Sequence, residues 1–470
     1  MSHDHMIPTL DMAKIFASKG VKATIVTTPL NKPFISRSIE QFKIHSNNID
    51  IQTIKFPCVE GGLPEGCENV DAIPTVSLVP TFFTATTLLQ QPFEELLLQQ
   101  KPHCIVADMF FPWATDSATK FGIPRIVFYA TSFFSLCASQ CLEQYEPFKN
   151  VSSETEEFVI PNLPGNIKMT RLQLPNILTK NDAITQNIAK LYAEIRESEV
   201  RSYGVIVNSF YELDGVYADY YREVLGKKEW HIGPFSVYNR DIDTSYCGKE
   251  PSINKHECLK WLDTKDINSV VYVCFGSKNH FLNSQLKEIA MGLEASGKYF
   301  VWVVKKKQED REKGLPEFEK RMKGKGLIIR GWSPQLLILQ HKAIGAFVTH
   351  CGWNLTLESV AAGVPMITWP IGSDQFYNEK LVTDVLKIGV PVGAKTWDGK
   401  VSDKVHWDAV EKAVMKVMEG EEAKEMRNKA KMLAQMAKKA VEKGGSSYAQ
   451  LNALIEELGS LCHHQCISQE

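Results

Sequence analysis

"VTHCGWNLTLESVAAGVP", Val348 to Pro365, places a histidine, a cysteine, a tryptophan and an asparagine within five consecutive positions, His350 to Asn354. The run before the turn, "GAFVTHCG" (Gly345–Gly352), is apolar and reads as a strand ending at His350 and Cys351. The chain then turns at Gly352 into a helix that begins near Asn354 and closes on Gly363-Val364-Pro365. A second strand, "PMITWP" (Pro365–Pro370), follows at once. A helix that starts where a strand ends offers unpaired N–H groups and the positive end of its dipole, which suits an anion. Metal binding is the weaker reading, because adjacent His350 and Cys351 lack a second pair at ligand spacing. A nucleophilic cysteine needs a base and an oxyanion site, and nothing marks Cys351 in that way. Taken alone, the stretch reads as a buried strand end with Trp353 packing beside it.

Working outward, short β-branched runs alternate with helical stretches along the whole chain. The first series is Val21–Thr28, Ile49–Phe56, His103–Asp108, Arg125–Ala130 and Gly204–Phe210. The second is Ser269–Gly276, Tyr299–Val304, Gly326–Trp332, Gly345–Gly352 and Pro365–Pro370, with helices such as Asn283–Ser296 and Asp403–Glu419 between strands. Nearly continuous apolar strands are those of parallel sheets covered on both faces, so the fold class is α/β and doubly wound. The polar, turn-rich segment 233–252 reads as a linker between an amino-terminal domain (1–232) and a carboxyl-terminal domain (253–445). A last helix and tail occupy 446–470. Two such domains facing each other form a cleft at the carboxyl ends of their strands.

Bulk properties narrow the classes further. A chain of 470 residues supports two ordinary domains. A formal net charge of −2 offers no basic face for nucleic acid. Eleven cysteines without CxxC pairs suit a reducing compartment better than a disulfide framework. No apolar run approaches the roughly 20 residues of a membrane helix, and the amino end lacks a signal-peptide pattern. A cytoplasmic monomer is the expectation. A nicotinamide oxidoreductase would need GxGxxG between a strand and a helix, and the candidates at Gly276 and Gly324 fail. "DID" (Asp241–Asp243) falls in the linker and reads as a solvated loop. "CHHQC" (Cys462–Cys466) has metal-like spacing in a tail and is read as non-binding. No metal is expected.

The segment Trp332 to Gln375 as a whole resembles the carboxyl-proximal signature of plant UDP-dependent glycosyltransferases of secondary metabolism, enzymes of GT-B fold. The match runs through Trp332, Pro334, Gln335, His341, Gly345, Phe347, Thr349 to Asn354, Glu358, Gly363, Pro365, Trp369, Pro370, Asp374 and Gln375. "HMIPTLDMAK", "VADMFFPWATDSATKFGIP" and "WLDTKDINSVVYVCFGS" extend the likeness over nearly the whole chain. The resemblance implies that Trp332 stacks on uracil and that the Ser333 backbone pairs with the base edge. Gln335 and Glu358 would hold the ribose, while His350, Asn354 and Ser277 would contact the diphosphate. Trp353, Asp374 and Gln375 would grip the sugar. Glutamine rather than histidine at 375 leans toward UDP-glucose as donor. No cofactor besides this donor substrate is implied.

By the same resemblance His5, preceding Met6-Ile7-Pro8, is the general base, and Asp108 is the carboxylate that orients it. A lone histidine near a terminus otherwise reads as a surface group, and His3 is read so. Phe82, Phe83, Phe110, Phe111, Trp113, Phe133 and Phe134 either wall an apolar acceptor site or belong to the core. The likeness points to triterpenoid sapogenins and flavonoids as acceptors. Two departures support an alternative, a weakly active or inactive relative. Leu355 replaces the serine whose hydroxyl would reach a phosphate. The sequence opens "MSHDH", with Asp4 in place of a glycine and no apolar first strand before His5. The expectation is therefore a disordered terminus, a poorly placed base and a sheet missing its first strand.

Overall fold

The computed structural model describes residues 2–42, 48–238, 252–253, 255–276, 281–305, 315–397 and 404–467. Ser277 and Asp241–Asp243, with most of the expected linker, lie outside the described residues. So do the side chains of Cys462–Cys466, although the helix Ser446–Ile467 runs through them. Among the described residues no helix is long and apolar enough to cross a membrane.

Fourteen strands are described: β1 Ala23–Thr27, β2 Ile49–Thr53, β3 Ile105–Asp108, β4 Arg125–Tyr129, β5 Glu157–Val159, β6 Lys168–Thr170 and β7 Gly204–Val207. They continue as β8 Glu229–His231, β9 Val270–Cys274, β10 Tyr299–Val304, β11 Gly326–Arg330, β12 Ile344–Thr349, β13 Met366–Thr368 and β14 Gly389–Pro391. The ten expected runs all contain strands: Tyr299–Val304 is matched at both ends, β12 starts one residue before its run, and the rest are trimmed at one or both ends. The chain forms two compact units: Met1–Phe133 with Lys180–Gly248 and Lys439–Glu470, and Phe134–Thr179 with Lys249–Lys438.

The first unit holds a parallel pair β1-β2 and a parallel sheet of order β3-β4-β7-β8. Its first element is the helix His3–Ser18, whose Met12, Ile15 and Phe16 pack with Ile126, Phe128, Ile206 and Trp230. Leu451 and Leu454 of the last helix complete the same cluster. The division therefore differs from the boundaries read in the sequence: the final helix joins the first core. Residues 134–179 belong with the second unit, where the Trp397 N–H bonds the Leu172 carbonyl (2.8 Å).

The second unit is built on a parallel sheet of order β11-β10-β9-β12-β13-β14. Strand order reverses between β9 and β12, and in such sheets ligands bind beyond the carboxyl ends at that switch point. Register brings the ends level, because Thr349 pairs with both Cys274 and Thr368. Val271, Val273, Phe300, Trp302 and Ile367 are buried beneath Val410, Val414 and Val417 of the helix Trp407–Met418. β5, β6, β8 and β14 are three-residue strands that no periodicity announces.

Candidate active site

In the second unit, β12 ends at Thr349 and the helix Trp353–Ala362 begins four residues later. Between them Cys351 adopts φ 64°, in the left-handed region that residues other than glycine seldom enter. The first intrahelical bond runs from Thr356 N–H to the Gly352 carbonyl (3.0 Å). The N–H groups of Trp353, Asn354 and Leu355 precede it and mark the positive end of the helix. His350 sits at the switch point against two glycines. A Cβ on Gly276 would come 2.9 Å from its Cε1, and one on Gly352 2.6 Å from its Nε2. Both positions must stay bare for the imidazole to lie there.

The flanking residues gather in pairs. Gln335 Nε2 donates to Glu358 Oε2 (2.6 Å), so the two proposed ribose contacts already meet. Trp332 is half-buried, and its backbone N–H and carbonyl both bond Ser252 (3.1 and 2.7 Å), which fixes the base of the indole. Ser333 is buried, its hydroxyl on Tyr272 Oη (2.8 Å). Gln375 Oε1 accepts from Ile371 N–H (2.8 Å) and Gly372 N–H (3.1 Å). With its oxygen so occupied, Gln375 presents its amide N–H groups as donors. Trp353 is 3 % exposed, which leaves its indole far less surface for a ligand than Trp332 has. Leu355 is half-buried at the third helical position.

Cys351 is no nucleophile. It is fully buried, its thiol lies on the Thr349 carbonyl (3.6 Å), and burial, followed by nearby Glu379, pushes it well above the usual thiol range. Glu379 is itself buried, which raises its carboxyl to about 7 against the opposing hydrogen bond from Thr368 Oγ1 (2.6 Å). No cluster of three or more metal-ligating side chains occurs among the described residues.

In the first unit, His5 Nδ1 lies 2.6 Å from Asp108 Oδ2. The imidazole is 20 % exposed and the carboxylate 4 %, so one end of the pair faces outward and the other is shielded. Asp108 Oδ1 accepts from Phe110 N–H (3.0 Å). Buried Arg125 donates to the carbonyls of Asp108 (3.2 Å) and Phe111 (3.3 Å), bracing the turn after β3, and its guanidinium is brought down to about 10 by that burial. The His5 ring lies 5.5 Å from Phe110, which stacks on Phe83 (4.8 Å) and meets Tyr192 edge-on (6.2 Å). Phe82, Phe133 and Phe134 are fully buried core, whereas Phe83, Phe110, Phe111 and Trp113 are half-buried.

The disordered terminus expected from "MSHDH" is corrected here. His5 stands in the first turn of a helix, its N–H on the Ser2 carbonyl (3.1 Å). Asp71 accepts from the His3 backbone N–H (3.0 Å) and also bonds the His3 imidazole, closing the start of that helix. His3, read as a surface group, is 13 % exposed at its side chain and meets Phe34 edge-on. Buried apolar residues from Leu10 to Ala17 hold the rest. The helix is thus anchored by contacts from distant segments, which the local sequence does not reveal.

After β9 the chain carries one glycine, Gly276, with none of the further glycines of a dinucleotide turn. The strand order, third-second-first-fourth-fifth-sixth, is shared with dehydrogenases, so it is the missing glycine turn that argues against one. The comparisons with known proteins agree: residues 154–440 match the family model "UDP-glucoronosyl and UDP-glucosyl transferase". The chain is 54 % identical to scopoletin glucosyltransferase of Nicotiana tabacum, covering 98 % of this chain and 96 % of that one. It is 53 % identical to UDP-glucose flavonoid 3-O-glucosyltransferase 7 of Fragaria ananassa, covering 98 % and 95 %. A Glycyrrhiza uralensis UGT crystallised with glycyrrhetinic acid 3-O-monoglucuronide superposes with a TM-score of 0.93 at 42 % identity, covering 100 % of this chain and 96 % of that one. The chain belongs to the plant UDP-dependent glycosyltransferases, enzymes that pass a glycosyl group from a UDP-sugar to a small acceptor.

Proposed function

We propose that this enzyme transfers glucose from UDP-glucose to a hydroxyl of a lipophilic polycyclic plant compound, of flavonoid or triterpenoid type. The observation that carries the acceptor side is the His5–Asp108 pair beside the Phe110–Phe83–Tyr192 aromatic surface. A flat apolar acceptor lies against the rings, with a hydroxyl directed at His5 Nε2. That nitrogen takes the proton as the oxygen attacks the anomeric carbon, the bond to UDP breaks on the opposite face, and configuration inverts. Asp108 holds the imidazole in the tautomer with Nδ1 protonated and stabilises the cation that forms.

On the donor side, Trp332 stacks on uracil, the Ser333 backbone meets the base edge, and Gln335 with Glu358 holds the ribose. His350, Asn354, Ser277 and the helix start receive the diphosphate, whose departing charge they stabilise without a metal. Asp374 accepts from sugar hydroxyls, Gln375 donates to them, and Trp353 lies alongside. The relatives named for glucosyl transfer support glucose as the sugar, as does glutamine at 375. The test is a panel of flavonoid, coumarin and sapogenin acceptors with UDP-glucose, UDP-galactose and UDP-glucuronate, products read by mass spectrometry. Glucosides of at least one class should dominate; turnover only with another donor sinks the sugar assignment, and none at all sinks the reading.

A further inference from the structure

Asn378 stands in the helix Gln375–Lys380, is fully buried (0 % exposed), and has no part in the chemistry above. Its side chain nevertheless touches three separate pieces of the donor unit. Nδ2 donates to the backbone carbonyl of Cys351 (2.9 Å) and to Oδ2 of Asp374 (3.0 Å). Oδ1 accepts from the Ser135 hydroxyl (2.9 Å). Only this orientation of the amide works, since the reverse would set its oxygen against two acceptors. At so buried a place a lost hydrogen bond is not replaced by bulk water.

Two of these contacts reach donor-side groups. The Cys351 carbonyl belongs to the left-handed residue that turns the chain from β12 into the helix Trp353–Ala362. That turn aims His350 and the first-turn N–H groups. Asp374 is the carboxylate assigned to the sugar hydroxyls. We propose that Asn378 is a positioning residue that holds the sugar carboxylate Asp374 in place, with the Cys351 carbonyl and Ser135 setting the direction of its amide. The inference rests on the reading of Asp374 as a sugar contact. An aspartate at 378 would not serve, because it would bring an acceptor against both the Cys351 carbonyl and Asp374.

The test is a double-variant cycle on donor use. Wild type, Asn378→Ala, Asp374→Ala and the double variant are compared for kcat/KM in UDP-glucose, for UDP affinity by calorimetry, and for Tm. Asn378→Ala should lower kcat/KM about 10- to 100-fold, mostly through KM, with a smaller effect on UDP, which has no sugar for Asp374 to hold. The double variant should lose little beyond Asp374→Ala, because Asn378 acts largely through that carboxylate. Losses that multiply instead, or that follow UDP affinity and Tm in step, would show a merely structural role and overturn the inference. An unaltered kcat/KM in Asp374→Ala would overturn the sugar reading and this inference with it. Should Asn378→Ala fail to fold, Ser135→Ala decides the matter. It should cost several-fold in kcat/KM at unchanged UDP affinity, and wild-type kcat/KM there would refute the positioning role.

Discussion

Asparagine at position 108 should damage transfer more than alanine does, although asparagine is the closer copy of aspartate. Oδ1 of Asp108 receives the Phe110 N–H at 3.0 Å, and Oδ2 faces His5 Nδ1 at 2.6 Å. In Asp108→Asn the amide oxygen must stay on the Phe110 N–H, so the NH2 group turns toward His5. Nδ1 then has to accept, the proton moves to Nε2, and the nitrogen meant to receive the acceptor's proton already holds one. Asp108→Ala only removes a charge-assisted hydrogen bond worth about 1.5–3 kcal/mol, a loss of about 10- to 150-fold. In a serine-protease triad the carboxylate-to-amide change costs about 10,000-fold in kcat, so Asp108→Asn here should cost about 1,000-fold or more. Initial rates at saturating UDP-glucose, with product quantified by chromatography, measure both, and UDP affinity by calorimetry should remain at the wild-type value. Equal damage, or a milder loss in Asp108→Asn, would refute the assignment of Nδ1–H to the carboxylate and with it His5 as the base.

Two further outcomes are expected. Glu379 carries a proton near pH 6 that the unfolded chain, with an ordinary value of 4.5 against about 7 when folded, has released. Stability should therefore fall as pH rises from about 4.5 to 7 and then level off, a total of about 3 kcal/mol. Glu379→Gln should flatten that part of the denaturation profile, and an unchanged slope would assign it to other groups. Leu355→Ser restores a hydroxyl donor in the first turn of Trp353–Ala362 and should improve UDP-glucose kcat/KM roughly 10- to 100-fold. No gain in kinetics or calorimetry would mean that the backbone N–H groups suffice.

The two βα series were legible because parallel strands buried on both faces are apolar throughout, as at "SVVYVCFG" and "YFVWVV". The residues assigned to the donor could be named because most of them fall in one ordered segment, Trp332 to Gln375, within which the structure joins Gln335 to Glu358 by a hydrogen bond. Three kinds of information were not in the pattern. Strands of three residues, such as β8 and β14, are too short for alternation to register. The helix carrying His5 contains Pro8 and a weak apolar stripe, and it depends on Asp71, 68 residues beyond His3, to close its start. The buried polar residues Asn378, Arg125 and Glu379 carry no spacing signal, because their partners lie on other elements. The room that Gly276 leaves for His350 likewise depends on two strands lying side by side at the switch point.

Leu451 and Leu454 close a core whose other members include Met12, Ile15, Phe128 and Trp230. During synthesis those partners leave the ribosome first and wait for the final helix, roughly 10–45 s at about 5–20 residues per second from Trp230 onward. The second unit needs nothing later than Lys438 and can close before the unit that begins the chain. The part of the protein translated first is thus the last to be finished, and its apolar faces stand open to chaperones and to aggregation in the interval. For the same reason, a truncation or bulky fusion that disturbs Leu451 strikes the unit bearing His5, at the opposite end of the sequence.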